Sequence, residues 1–468
     1  MTAQWMLPGL HDALRAFADA VARLYNDSLQ NNPLPDEPIE AYRVAAAFQD
    51  VAFSIPEWQD VLAVIHSDSR IQQQVGSWVG SIVGGQVIHA RDLGIAFVLQ
   101  VTYAIHGDND EDFIIRRSVF DMIYAPIDSF LGSDTIIYDA YSVLVGLKCD
   151  SPKIALSEGV SVELLDNEDL RLVELRFSIM SVARDQAERD IGEVHLPEHY
   201  RYAFRKVLNL PKLIGQPGDR SGAVEIYDKL SEDRRNCLRS IAAATYCHIR
   251  PWPAQIVERS WRGRMLSMTY REPLLVTRYD SPGATLSADS ESVMRATWSH
   301  LTHPEFKSRH AVVVLALDRL SGLGLRFSQE DQLIDVIVAC EAFFLEGGSG
   351  ELRFRLALNA AMIAPLLFSD WPQHSVFELL KKAYDLRSAI VHGNASRTSI
   401  RIGNQTYDIN ATVYYSAEVI RRAIAYRMLT VKPGGQILYD WESFYFRAAT
   451  DDAEVENSAS RVNGTDCT

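Results

Sequence analysis

The chain has little of what would tie it to an oxidising compartment or a membrane. Its 468 residues include five cysteines (Cys149, Cys237, Cys247, Cys340 and Cys467), few, odd in number and without a spacing pattern. They supply no disulfide framework and suit a reducing cytoplasm. No run of about 18 uninterrupted apolar residues occurs, so no membrane-spanning helix is expected. The first residues, Met1 to Trp5, lack the charged start and apolar core of a signal peptide. Positive charge is scarce as well. The net charge is -15; residues 1–150 hold 8 Lys+Arg against 20 Asp+Glu, whereas residues 301–430 hold 14 against 13. A chain this acidic does not bind nucleic acid through general electrostatics, so any nucleic acid must enter a local basic pocket.

What is present is globular: 47% hydrophobic and 23% charged residues with 18 prolines, and no internal repeat. The length calls for two or three domains. We expect an α+β multidomain chain. An acidic, mainly helical region over 1–148 precedes a mixed region with strands over 149–283. A helical domain follows over 284–432, then an extension over 433–468 whose acidic tail after 450 is expected to be disordered.

Leu10–Tyr25 reads as an amphipathic helix, broken by Asn31-Asn32-Pro33-Leu34-Pro35. The small residues of Gly76–Gly85 lack the Gly-Lys-Ser/Thr ending of a phosphate loop and read as close helix packing. Asp108, Asp110, Glu111 and Asp112 lack the glycine and terminal glutamate of a calcium loop and read as a solvated turn. Lys153–Leu156, Val160–Leu164 and Leu170–Phe177 alternate like strands, and Gln216–Gly222 reads as a loop. In Tyr246–Tyr279, arginines that include Arg262 and Arg264 interleave with Tyr246, Trp252, Trp261, Tyr270 and Tyr279. Such a stretch can clamp single-stranded bases, or it can be an amphipathic sheet with its aromatics inward. Ser281-Pro282-Gly283 marks the entry to the last domain, where helices are expected near 287–301, 305–321, 328–346, 350–367, 374–391 and 410–430. Ser287 and Ser328 are N-cap candidates. Leu333, Val336, Ile337, Cys340, Phe343 and Phe344 form a buried stripe. Glu341 lies within that stripe and needs a partner, for which Arg355 or Arg387 would serve. His300, His303 and His310 have no Cys/His partner set and Pro304 interrupts them, so no metal site is expected.

The helix ending at Tyr384-Asp385-Leu386-Arg387-Ser388-Ala389-Ile390-Val391-His392-Gly393-Asn394 carries the chemistry. Five helical positions separate Arg387 from His392 by roughly 140°, a gap that arginine's long stem can cover, and Ser388 faces the same way as His392. Gly393 is a stop signal. A guanidinium matches phosphate oxygens bidentately and keeps its charge, while an imidazole exchanges protons near neutrality. Together they suit metal-free cleavage of a phosphodiester. Spacing alone also allows, and by itself favours, an arginine paired to a helix acid and a histidine capping helix carbonyls.

Around these residues the chain resembles the HEPN domains, in particular their ApeA-like branch. The likeness rests on Arg387-x4-His392 within Leu380–Gly393, on Asp331–Leu345 and on Glu351–Ala361, and extends over roughly 285–430. It implies a compact all-α bundle and, in many members, a metal-independent RNase whose active site forms at a dimer interface. Two positions depart from the family pattern: Ser388, where Asn, Asp or His is common, and Asn359, where a second arginine is expected. The resemblance thus implies Arg387 and His392 as catalytic residues, with Ser388, Glu341, Arg355 and Tyr384 in support. Lys381, Lys382, Asn394, Arg262 and Arg264 are candidates for RNA contact. The expected reaction is attack of a ribose 2′-OH on the adjacent phosphorus, with no cofactor. The expected partners are RNA and a second copy of the chain, with a ligand or protein acting as a trigger on the N-terminal region. A non-catalytic HEPN adaptor or sensor, binding nucleic acid or protein, is the alternative. A toxin-like or phage-defence role follows only by analogy with the family.

Overall fold

The computed structural model describes residues 5–29, 51–81, 83–91, 93–94, 97–98, 101, 117–165, 202–215, 221–246, 248–251, 255–258, 267–269, 284–326, 328–345, 350–393, 398–441 and 444. The fold is mixed α+β. The chain divides into two units that interleave in sequence. Unit 1 comprises Met1–Ser142, Arg205–Glu232 and Pro253–Leu274, and unit 2 comprises Val143–Phe204, Asp233–Trp252 and Leu275–Thr468. The stretch 149–283 therefore contributes to both.

Unit 1 starts with helix α1 (Pro8–Leu29). Pro8 suits a first helical turn, where its missing N–H costs no hydrogen bond. Leu10, Leu14, Phe17, Val21 and Tyr25, spaced three or four apart, are all buried. Helices α2 (Pro56–Ser67), α3 (Ser69–Gln72) and α4 (Arg117–Gly132) follow. The buried Asp128 carboxylate of α4 accepts from the Met6 and Leu7 amides at 3.0 and 2.8 Å, anchoring the approach to α1. The glycine-rich stretch forms strands rather than packed helices. Strand β1 (Trp78–Ser81) pairs antiparallel with β2 (Gly84–Val87), Gly80 opposite Gly85. A Cβ on Gly85 would stand 2.5 Å from the Gly80 Cα, so cross-strand contact explains the small residues there. Strand β3 (Thr135–Val145) pairs in this unit with β10 (Gln255–Glu258), which pairs with β11 (Ser267–Thr269); strands β7 (Tyr202–Pro211), β8 (Leu213–Gly215) and β9 (Arg250–Pro251) precede β10 in the chain. Part of the basic-aromatic stretch is thus sheet. Arg262, Arg264, the acidic cluster at 108–112 and Leu170–Phe177 lie outside the described residues.

Unit 2 contains the hairpin of β5 (Lys153–Ser157) and β6 (Val160–Leu164). Strand β4 (Leu147–Cys149) runs parallel to β12 (Ala284–Leu286). Helix α5 (Ser221–Ala244), whose second half belongs here, was not foreseen from the sequence. The helical part follows the expected spans: α6 (Ala288–Leu301), α7 (Phe306–Arg309), α8 (Ala311–Ser321), α9 (Gln329–Phe344), α10 (Leu352–Leu367), α11 (Gln373–Val391) and α12 (Ile409–Thr430). Ser287 and Ser328 cap α6 and α9, their hydroxyls accepting from the Ser290 and Asp331 amides. The expected helix 305–321 is instead two, parted at His310, whose ring bonds the Gly435 carbonyl. Nor is the region purely helical. Between α11 and α12 lies a hairpin, β13 (Ser399–Ile402) with β14 (Gln405–Asp408), built from alternating residues around a Gly403-Asn404 turn.

Helices α9 and α12 are central, each packing against α8, α10 and α11 and against each other. All six residues of the expected α9 stripe are fully buried. Ile437, Leu438 and Trp441, from the extension, join the same core. Among the described residues no helix is long and apolar enough to cross a membrane.

Candidate functional site

Helix α11 buries Val376, Leu379, Leu380, Ala383 and Leu386 against the core. This leaves its last turn protruding, and Val391 and His392 are exposed. The helix ends where the glycine directs. His392 is the C-cap, with its amide donating to the Ser388 carbonyl at 3.1 Å, and Gly393 takes φ +78°. A left-handed conformation at this position favours glycine. The His392 ring is therefore held at the open end of a rigid helix.

Arg387 lies one and a half turns earlier and is half-buried. Its Nε is sealed from solvent without an acceptor, and it makes no ion pair among the described residues. The arginine is thus not the partner of a helix acid. Nor is it held by Glu341, contrary to the sequence reading. Glu341 makes no ion pair with Arg387 or Arg355 among the described residues; its carboxylate lies beside the Tyr384 hydroxyl. Burial first, then the Glu341 charge, raises the Tyr384 phenol above its ordinary value, and the Arg387 charge opposes the rise. Glu341, Tyr384 and Arg387 are therefore neighbours, with the tyrosine as the link. Among the described residues no carboxylate forms an ion pair with the Arg387 guanidinium, whose Nε has no acceptor.

The remaining predicted residues divide. Ser388 is half-buried on the same helical face as His392. Arg355, on α10, is half-buried and makes no ion pair among the described residues. Lys382 is engaged, with its Nζ 2.8 Å from the Glu378 carboxylate and 2.6 Å from the Arg401 carbonyl. Lys381 lies over the Phe377 ring at 5.3 Å. Asn394, like Arg262 and Arg264, is outside the described residues. Asn359 is 2% exposed and donates to the Phe344 carbonyl at 2.6 Å, capping the end of α9. An arginine at this position would put a charge in the core, so the local packing accounts for the asparagine.

The sequence reading missed Arg353, whose guanidinium holds Asp385 at 2.9 Å and ties α10 to α11. An alternating-charge search across helices 350–367 and 374–391 would have raised it. It also missed a half-exposed aromatic chain at the other end of α11. There Phe368, Trp371, Tyr415 and Tyr414 follow one another with ring centroids 5.1 to 5.4 Å apart. Among the described residues no group of three or more His, Cys, Asp or Glu could hold a metal ion. In unit 1, a shallow hollow is lined by Phe53, Trp58, Leu62 and Arg91. Compared with known proteins, the chain matches no family model, no curated protein and no solved structure.

Proposed function

We propose that this chain is a metal-independent endoribonuclease of HEPN type that uses Arg387 and His392. The observation carrying this reading is a half-buried arginine whose Nε has no acceptor and which makes no ion pair among the described residues, placed just ahead of an exposed histidine at the end of the same helix. An uncompensated guanidinium invites an anion, and a phosphodiester matches its fork. His392 then takes the proton of the ribose 2′-OH as that oxygen attacks the adjacent phosphorus. Arg387 holds the non-bridging oxygens as their charge rises. The 5′-oxygen leaves and is protonated by His392 of a second copy or by the same imidazole in its protonated state. Two copies related by a two-fold axis would place two Arg387/His392 pairs on one cleft. Tyr384, with the Glu341 carboxylate beside its hydroxyl, is the arginine's neighbour. The chain would work in the cytoplasm, in a toxin-like or defence role, with the acidic N-terminal region sensing a ligand or protein trigger.

The test is end-group analysis of RNA incubated with wild type and with His392→Ala in the presence of EDTA. Wild type should leave 2′,3′-cyclic phosphate and 5′-hydroxyl ends, whereas the variant should leave intact RNA. DNA should be inert in both. Activity abolished by EDTA alone would sink the reading.

A second reading is a HEPN adaptor that binds RNA or protein without cutting. It is favoured by the neutralisation of the surrounding cations, since Lys382 is paired with Glu378 and Arg353 with Asp385. Retention of RNA without new ends would select it.

A further inference from the structure

The three histidines at 300, 303 and 310, which the proposed reaction does not use, converge on one segment. His300 and His310 are each 1% exposed. The His300 Nε2 lies 2.9 Å from the Val431 carbonyl and 3.2 Å from that of Met428, and the His310 Nε2 lies 3.0 Å from the Gly435 carbonyl. Carbonyls only accept, so both rings carry their proton on Nε2. Their Nδ1 atoms, and that of His303, are buried without a partner. The same segment receives Arg309, which donates to the Gly434 carbonyl, and Arg427, which donates to the Gln436 and Ile437 carbonyls. Beyond it, Ile437, Leu438 and Trp441 enter the core, and the Tyr439 and Trp441 rings stand 6.3 Å from Phe343 and Phe344 of α9.

The geometry points to an acid-released clasp, in which neutral His300 fastens the segment Val431–Trp441 onto the helical unit and protonation of its Nδ1 loosens that segment. An added proton would form an N–H with no acceptor in a sealed site beside the Phe306 ring, whose centroid is 5.7 Å from that of His300. The charged and titratable groups facing this site are unfavourable to a second cation. They are His303 and His310 around α7; Arg309 (already paired with Glu305) and Arg427 from α12 hold carbonyls of the segment, and Lys432 on the segment is exposed. Burial first, then the neighbouring histidines, holds the His300 imidazole below its ordinary value, against the carbonyl bonds that raise it.

The sign follows from proton binding. The opened segment exposes His300 and binds a proton that the closed form excludes, so closure is complete above about pH 6.5 and weakens as pH falls. The clasp reaches α9, the helix that carries Glu341, although the inference stands whether or not the chain cleaves RNA.

The experiment is hydrogen exchange of the full chain at pH 7.5 and pH 5.0, corrected for intrinsic exchange, comparing amides of 431–441 with those of 411–425. In wild type the protection of 431–441 should fall at pH 5.0, by up to about thirtyfold for one histidine of ordinary value near 6.5, while 411–425 changes little. His300→Gln keeps an amide donor for the same carbonyls but cannot titrate, and should hold the loss within about twofold. Unchanged wild-type protection, or an equal loss in His300→Gln, overturns the clasp. If the variant does not fold, the wild-type comparison of the two segments still decides.

Discussion

Within one helical unit, two histidines of similar standing in the sequence meet opposite surroundings. His300 is sealed beneath the chain's return, its Nε2 spent on two carbonyls. His392 is exposed at the end of α11, with an unpaired arginine behind it. The first histidine is part of the frame, and its titration acts on stability. The second makes no ring contact among the described residues beyond its backbone cap, so its ring is open to a ligand. Burial and the presence of acceptors, more than residue type, separate the two roles.

The sharpest way to break this contrast is to remove the exposed imidazole. His392→Ala should lower RNA cleavage by about 10²–10⁴-fold, the usual reach of a positioned acid or base. Because the ring is exposed, folding stability should stay within roughly 0.5 kcal/mol of wild type. Arg387→Ala should lower cleavage comparably, through lost phosphate binding and charge stabilisation. Cleavage assays paired with urea unfolding check both halves. If His392→Ala cleaves normally, the open end of α11 is not the reacting site.

The sealed polar groups make the next contrast. Asn359 is buried and caps the Phe344 carbonyl at 2.6 Å. Asn359→Leu should cost about 1–3 kcal/mol by leaving that carbonyl unsatisfied, measured as a lower urea midpoint at unchanged slope. Cleavage per folded molecule should be unaffected. A fall in cleavage without loss of stability would give Asn359 a part in the active site.

The helical unit was legible because its signals are local. Ser287 and Ser328 as caps, the Leu333–Phe344 stripe and Gly393 as a stop each depend on residues within a few turns. What was not legible depends on contacts distant in sequence. Gly80 and Gly85 are small because two strands meet there, which the small residues of Gly76–Gly85 alone cannot distinguish from helix packing. The break at His310 is bound up with a carbonyl 125 residues away. Glu341 needed a partner, as its buried stripe implied, but only the packing of α11 on α9 selects Tyr384 over an arginine. At the site, Arg387 and His392 could be read from one helix, whereas Lys382 looked free until its contacts with Glu378 and Arg401 were known.

The smallest expected effect tests how far the site extends over α10. Arg353 and Asp385 are 50% and 33% exposed and 2.9 Å apart. An exposed pair of this kind contributes about 0–1 kcal/mol, because water screens it and ordering two side chains offsets the attraction. Arg353→Ala should therefore lower stability by less than about 1 kcal/mol, and less still at high salt. It also frees a carboxylate two residues before Arg387, whose negative charge acts on the proposed phosphate site through longer-range electrostatics. If phosphate binds at Arg387, RNA affinity should weaken in Arg353→Ala and recover in Arg353→Ala/Asp385→Asn, while stability barely moves between the two. Equal affinity in both variants would place the phosphate away from this end of α11.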